Sequence, residues 1–383
     1  MKRVLLLITL AGALGHTAHG QTPADQESDA TARRGIEEVY NLEFERADSQ
    51  FTRLVTLNPQ HPAGYFMLAM VTWWRILIDM DNEGYDQQFC AALDHVVDMC
   101  DSMLDVNEDD IGAIFFKGGA IGFKGRLKFH RDDYLAAANA GRKALPLVQT
   151  AMALDPNNYD ILLGSGMYNY YAEVIPNEYP FLKPLLLFVP PGDKNKGIEQ
   201  LTLASERAKY ASIEAAYFLL QVYYFYEKDY GKALSIALRL GSRFPNNVVF
   251  HRYVGRCFVS MGNWDMARSV FGEISERVRK GQRGYTSNAD READYYLGVY
   301  AMLQHNYDTA LQYLYRCDEI SRSLDTKEPS GFMAMANLKL GMIYDLQKKR
   351  SLAVMQHGKV LDMKNYGDSH RLAERHQKTP YTD

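Results

Sequence analysis

The sequence predicts an all-α fold, a stack of about eight helical hairpins. Three observations predict it. Residues 214–247 read EAAYFLLQVYYFYEKDYGKALSIALRLGSRFPNN, two amphipathic helices and two turns in a 34-residue unit. Such a pair cannot bury its own apolar faces and implies stacked neighbours. Small residues, which let paired helices approach closely, recur at 47, 96, 144, 197, 233, 267, 310 and 353, with spacings from 34 to 53 residues. No period-two alternation of a strand competes with this pattern.

Taken in order, the chain opens with Lys2 and Arg3, an apolar run at 4–14, and Ala18-His19-Gly20 as a small-x-small cleavage site. Residues 1–20 read as a signal peptide cut near Gly20-Gln21, which predicts export to the periplasm or cell envelope. The run is too short for a comfortable membrane span, and a retained N-terminal anchor is the lesser reading. Residues 21–34 are polar and are expected to form a disordered leader.

The first hairpin places Ala47, Phe51 and Leu54 on its second helix and closes at Asn58-Pro59. The second opens after Pro62 with AGYFMLAMVTWWRILI and places Val96, Cys100 and Met103 at the matching positions. The third begins near Ile111 and carries Gly118, Gly119, Gly122 and Gly125 in its first helix, then Ala144, Val148 and Ala151 in its second. A helical glycine costs roughly 1 kcal/mol relative to alanine, so close helix crossing is the expected compensation. The fourth has Leu163-Gly164, then a Pro-rich apolar insertion at 175–192, and resumes at Gly197, Leu201 and Ala204. Proline cannot continue a helix, so this segment interrupts the hairpin. The fifth is the 214–247 unit, ended by Pro245.

The sixth has Val254-Gly255, Phe258, Gly262, Ala267 and Phe271. The seventh has Leu297-Gly298, Ala310, Leu314 and Cys317, and the eighth has Leu340-Gly341, Tyr344, Ala353 and Val360. Residues 35–212 thus form a divergent half with insertions, 213–365 a regular half, and 366–383 a polar tail that caps or frays.

A net charge of −4 offers no basic field for nucleic acid. The 26 tyrosines and 17 phenylalanines suit repeated hairpins that use aromatics as knobs between helices. Cys90 and Cys100 share one expected helix and stand too far apart to bridge. Cys257 and Cys317 fall on neighbouring hairpins and have the option of pairing. Four buried small hydrophobes is the favoured reading.

With Leu220-Gln221, Tyr224, Ala233 and Pro245, and with the Leu-Gly pairs of the later units, residues 35–363 resemble a tetratricopeptide repeat protein. The Pro-rich loop followed by Gly192-Asp193 and Lys196-Gly197 is also similar to the eukaryotic tetratricopeptide family that includes the yeast inclusion-body clearance protein. The general resemblance implies a right-handed superhelical solenoid that binds peptides or partner proteins without catalysis. It also implies that first helices line a concave groove. Carried over position by position, that groove comprises Phe66, Met70 and Trp73, Phe115, Ile161 and Tyr168, Phe218, Val222 and Phe225, Arg252 and Arg256, and Tyr295, Val299 and Met302. An aromatic groove with an arginine pair suits a peptide bearing a carboxylate. The competing reading has these side chains filling the superhelix itself, with the arginines paired to nearby acids.

Other constellations fall short of chemistry. Asp79-x-Asp81-x-Glu83-Gly84 opens like a calcium loop but has Cys90 where the bidentate carboxylate belongs. Gly118 to Lys124 lacks the ending of a phosphate loop and has no strand before it. His130 near Asp132 and Asp133 has no second histidine one turn away. The sequence therefore predicts no catalytic residue, no metal site and no cofactor. The expected function is an exported, non-enzymatic scaffold for a protein or peptide partner. The alternatives are a small-ligand or glycan receptor stacking sugars on Trp73, Trp74 and Tyr168, and an adaptor docking on membranes through residues 181–189.

Overall fold

The computed structural model describes residues 23–186 and 190–382. The signal-peptide reading of residues 1–20 lies outside them. The described chain forms eight consecutive helical hairpins and a final helix, with no strand among the described residues. The hairpins are α1 (Pro23–Tyr40) with α2 (Phe44–Leu57), α3 (Ala63–Ile78) with α4 (Asp86–Leu104), α5 (Ile111–His130) with α6 (Tyr134–Leu154), and α7 (Ile161–Glu178) with α8 (Lys194–Arg207). They continue with α9 (Ser212–Gln221) and α10 (Tyr230–Arg243), α11 (Val248–Ser260) and α12 (Trp264–Arg279), α13 (Ser287–Leu303) and α14 (Tyr307–Leu324), and α15 (Gly331–Leu346) and α16 (Arg350–Leu361). The last helix, α17 (Ser369–Lys378), closes the stack. Every helix packs on its predecessor in chain order.

The second helix of each hairpin is built on one buried stripe. Ala47-Phe51-Leu54, Ala233-Ala237-Leu240, Ala267-Phe271-Ile274 and Ala310-Leu314-Cys317 are all buried. The i, i+4, i+7 spacing puts each set on one helix face. The glycine of the Leu-Gly pair receives the middle residue. A Cβ on Gly255 would lie 2.7 Å from the Phe271 ring, and one on Gly298 would lie 2.7 Å from Leu314. In the fourth hairpin this role belongs to Gly166, not Gly164: a Cβ on Gly166 would meet Leu201 at 2.8 Å, whereas Gly164 faces Val148 of the preceding hairpin.

The tight turns share a device. Leu42, Asp132, Lys228, Gly262, His305 and Lys348 each occupy the left-handed region, one residue before the cap of the second helix. In four of them the next residue caps that helix through its side chain: Asp133, Asp229, Asn263 and Asn306 accept from the backbone N–H three residues on. The second and fourth hairpins replace this turn by longer connections. In the fourth, α7 continues through Pro176 and is followed by a 3₁₀ turn at Pro180–Leu186.

At the N-terminus an expectation is corrected, and at the C-terminus the structure takes the capping one of its two alternatives. From Pro23 the supposed leader is the start of α1, with Thr31 and Ala32 buried against the next helices. The supposed polar tail contains α17, which buries Ala373 and His376 against the eighth hairpin. Both segments are polar on average, but their few apolar side chains fall on one face.

The stack also curls until its beginning meets its later turns. Tyr40 lies 4.8 Å from Trp74 and 5.5 Å from Phe244, centroid to centroid, and Trp74 lies 5.6 Å from Phe250. Asn247 Nδ2 donates to the Tyr40 carbonyl at 2.8 Å. Asp79 accepts from Asn288 at 2.9 Å and Asp81 pairs with Arg291 at 2.8 Å. Lys327 pairs with Glu83 at 2.7 Å, and Arg283 with Glu43. One apolar core therefore runs from Ala32 through Leu127 and on through Ile213 to Leu297. The two halves drawn from the sequence at 212/213 share it.

Candidate functional site: the bore of the solenoid

First helices, together with α6 of the third hairpin, line the bore, and contact with the first three hairpins fills part of it. What remains is two cavities. One, of about 450 Å³, lies among α3, α5, α6, α7 and α9, with Leu182 of the 3₁₀ turn also lining it. The other, of about 760 Å³, runs past α11, α13 and α15 to the turn before α17. They meet at His130, Gln221 and Phe225.

Phe225 owes its position to an irregularity. Helix α9 passes into a π-helical turn at Val222–Tyr226, closed by Glu227 N donating to Val222 O at 3.0 Å. The wider turn shifts the helix face by one residue, and Phe225 stands half-exposed at 50% where its neighbour Val222 is buried. His130, opposite in the lining, is held neutral: burial, then the nearby Arg126 and Arg131 charges, lower its pKa to about 4.

The second cavity carries three arginines, each already engaged. Arg252 and Arg256 both clamp Glu292, at 2.6 and 2.7 Å to its Oε2. Burial alone would raise that carboxyl, but the two guanidiniums outweigh it and hold it at about 2. Arg291 pairs with Asp325 at 2.7 Å and with Asp81 at 2.8 Å. Three guanidiniums thus face three carboxylates. The arginine pair expected to seat a ligand carboxylate serves an internal acid instead.

Of the fourteen groove residues expected from sequence, Phe66, Met70, Phe115, Ile161 and Tyr168 line the first cavity, Arg252, Arg256 and Tyr295 line the second, and Phe225 lines both. Trp73, Phe218, Val222, Val299 and Met302 line neither and are buried. Trp73 stacks on Phe89 at 5.4 Å, and the Arg126 guanidinium lies 5.0 Å above it on the other contact. Phe218 and Val222 pack with Tyr170 and Leu201. Trp74 is also only 1% exposed, so the two adjacent tryptophans offer no stacking platform for sugars. Sequence reasoning missed Gln221, Tyr253, Arg291 and Phe332 in the lining. Tyr253 alone had a usable signal, its place beside Arg252 on the same helix.

Among the described residues no group of three or more His, Cys, Asp and Glu side chains is placed to hold a metal ion. Likewise, no described helix is long and apolar enough to cross a membrane. Phe181 is exposed and Leu182 buried, while residues 187–189 of the supposed membrane loop lie outside the described residues.

The hairpins stack in order, pack glycine against the partner helix, and turn their first helices inward. The chain is a tetratricopeptide-like solenoid. No family model and no curated protein matches the sequence. Among solved structures it is similar to Pseudomonas aeruginosa PilF, at 13% identity and TM-score 0.43 over 67% of this chain and 96% of that one. It is also similar to the type IV pilus biogenesis factor PilW, at 14% and 0.43 over 66% and 96%, and to the apo form of RapI, at 13% and 0.44 over 88% and 86%. The packing described above, rather than these likenesses, carries the assignment of the fold.

Proposed function

We propose that the chain is a non-catalytic binding scaffold, acting after export in the cell envelope, and that the second cavity takes an extended segment of a partner protein. Phe225 carries this reading. A large apolar side chain half-exposed inside a concave bore, on a π turn, is the kind of rigid aromatic anchor around which partner contacts concentrate. Tyr253, Tyr295 and Phe332 continue the aromatic lining beyond it. Because the local arginines are matched by acids, the segment that fits is apolar and uncharged rather than acidic. Export is supported by the basic, apolar and small-residue succession at the chain start.

A photo-crosslinking residue placed at 225, with a second chain carrying it at the exposed Leu238 of α10, tests the reading in the source cell. A partner peptide attached at 225 and absent at 238 supports it. Equal labelling at both positions, or none at 225, contradicts it. Phe225→Ala should leave the fold intact, since half of the side chain is already in solvent.

A further inference from the structure

The smaller cavity asks for a different occupant. It opens where the third hairpin meets the fourth, because a run of small residues on α6, Ala137, Ala138, Gly141 and Ala144, lies there among the larger Tyr134, Leu145 and Val148. On α5, Gly122 adds to the space. A Cβ built on Gly122 or Gly141 meets nothing within 4 Å. The expectation that the glycines of α5 serve close helix crossing holds for Gly118 and Gly125, which would meet Leu147 at 3.3 Å and Ala140 at 2.8 Å, and fails for Gly122. The cleft of about 450 Å³ left there is open on one side, where Gly141 and Arg142 are exposed, and is lined mostly by apolar side chains. That volume lies within the roughly 300–1,000 Å³ of small-molecule sites.

The rest of the lining is aromatic and aliphatic, with Phe66, Met70, Phe115 and Met167 among it. Four charged side chains reach it. Arg126 and Glu214 neutralise each other at 2.6 Å. Asp160 is taken up by the backbone N–H groups of Lys209, Tyr210 and Ala211, at 3.2, 2.8 and 2.7 Å. Arg142 remains. It is exposed, and its hydrogen bond is to the neutral Asn139 Oδ1 at 3.0 Å, with no ion pair among the described residues. An apolar cleft with one guanidinium outside any ion pair at its margin matches a single long hydrocarbon chain ending in a carboxylate.

We propose that this cavity binds a long-chain fatty acid, its chain along Gly122 and Gly141 and its carboxylate on Arg142. The site adjoins the partner channel at His130, Gln221 and Phe225, but the proposal rests on Gly122, Gly141 and Arg142 and does not depend on that reading. The test uses the purified, delipidated chain and displacement of a dansyl-labelled fatty acid by hexadecanoate and by hexadecanol. Hexadecanoate should displace the probe from the unaltered chain. Gly122→Leu should weaken binding of both competitors about tenfold or more, since the new side chain takes the space of several methylenes. Gly141→Leu, at an exposed position, should do the same and serves if Gly122→Leu folds poorly. Arg142→Gln should weaken hexadecanoate and leave hexadecanol unchanged. No displacement from the unaltered chain, or undiminished affinity in both leucine variants, overturns the site. Equal affinity of Arg142→Gln and the unaltered chain for hexadecanoate overturns the carboxylate assignment.

Discussion

Arg126 on α5 and Glu214 on α9 form an ion pair at 2.6 Å, each side chain only 8% exposed, although 88 residues separate them. Tyr40 Oη from α1 also donates to Glu214, at 3.2 Å, and Arg126 Nη2 donates to Gln221 Oε1 at 2.8 Å. The pair ties three hairpins together at the floor of the bore. Removing one partner leaves the other charge buried without compensation. Arg126→Met should therefore cost about 3–5 kcal/mol in urea unfolding. Arg126→Met combined with Glu214→Leu should cost clearly less than the sum of the two single changes.

Two of the three buried acids of α13, Asp294 and Glu292, should give opposite pH dependence. Asp294 is buried, has no hydrogen-bond partner for either oxygen, and sits near Asp290, with Arg316 at 3.4 Å. Burial and then Asp290 raise its pKa to about 7. A raised carboxyl favours the fold below its unfolded value near 3.8, and that contribution is lost as pH rises through about 7. Glu292 is lowered to about 2, so its contribution is present above 4.5 and lost as pH falls toward 2. Asp294→Asn should accordingly remove an alkaline decline in thermal midpoint between pH 5 and pH 8, by about 1–3 kcal/mol. An unchanged slope in that variant contradicts the assignment.

Two glycine substitutions should differ in sign. Gly255→Ala drives a methyl into the Phe271 ring and should destabilise by about 1–3 kcal/mol. Gly122→Ala, in open helical space, should stabilise by up to about 1 kcal/mol. Chemical denaturation of the pair checks both.

The four cysteines are free, with Cys257 on α11 and Cys317 on α14 unbridged. Burial pushes Cys100, Cys257 and Cys317 up to about 12. A thiol reagent at neutral pH should label Cys90 first, because it is the one cysteine not fully buried. The other three should react only at the rate of unfolding.

Much of this architecture is legible in the sequence because it is local. The buried stripe of α12 and the Gly255–Phe271 contact follow from helix period and residue size within one hairpin. The asparagine and aspartate caps follow from side-chain chemistry at a single position. The curl of the solenoid is not local. Tyr40 meets Phe244, and Asp81 meets Arg291, across some 200 residues. No spacing rule reaches that far. Phe218 and Trp73, at positions that face a groove in an open solenoid, lie in the core for a nearer reason: Phe89 and Arg126 cover Trp73, and Tyr170 and Leu201 pack with Phe218. Arg252 and Arg256 are less available than their position suggests because their acid, Glu292, stands on the next first helix. The π turn that exposes Phe225 has no sequence signature either, though Phe225 itself was among the expected residues.

The closure of the early hairpins onto the later ones underlies both cavities, and it can be tested without altering the chain. Glu83 and Lys327 form an exposed ion pair at 2.7 Å, and the part-buried Asp29 pairs with Lys209 at 2.8 Å. A zero-length carbodiimide reaction joins carboxylates to amines only at such range. Peptide mapping of the monomeric product should recover the 83–327 and 29–209 links. Recovery of links within hairpins or between neighbours alone, with both of these missing, would contradict the closed arrangement.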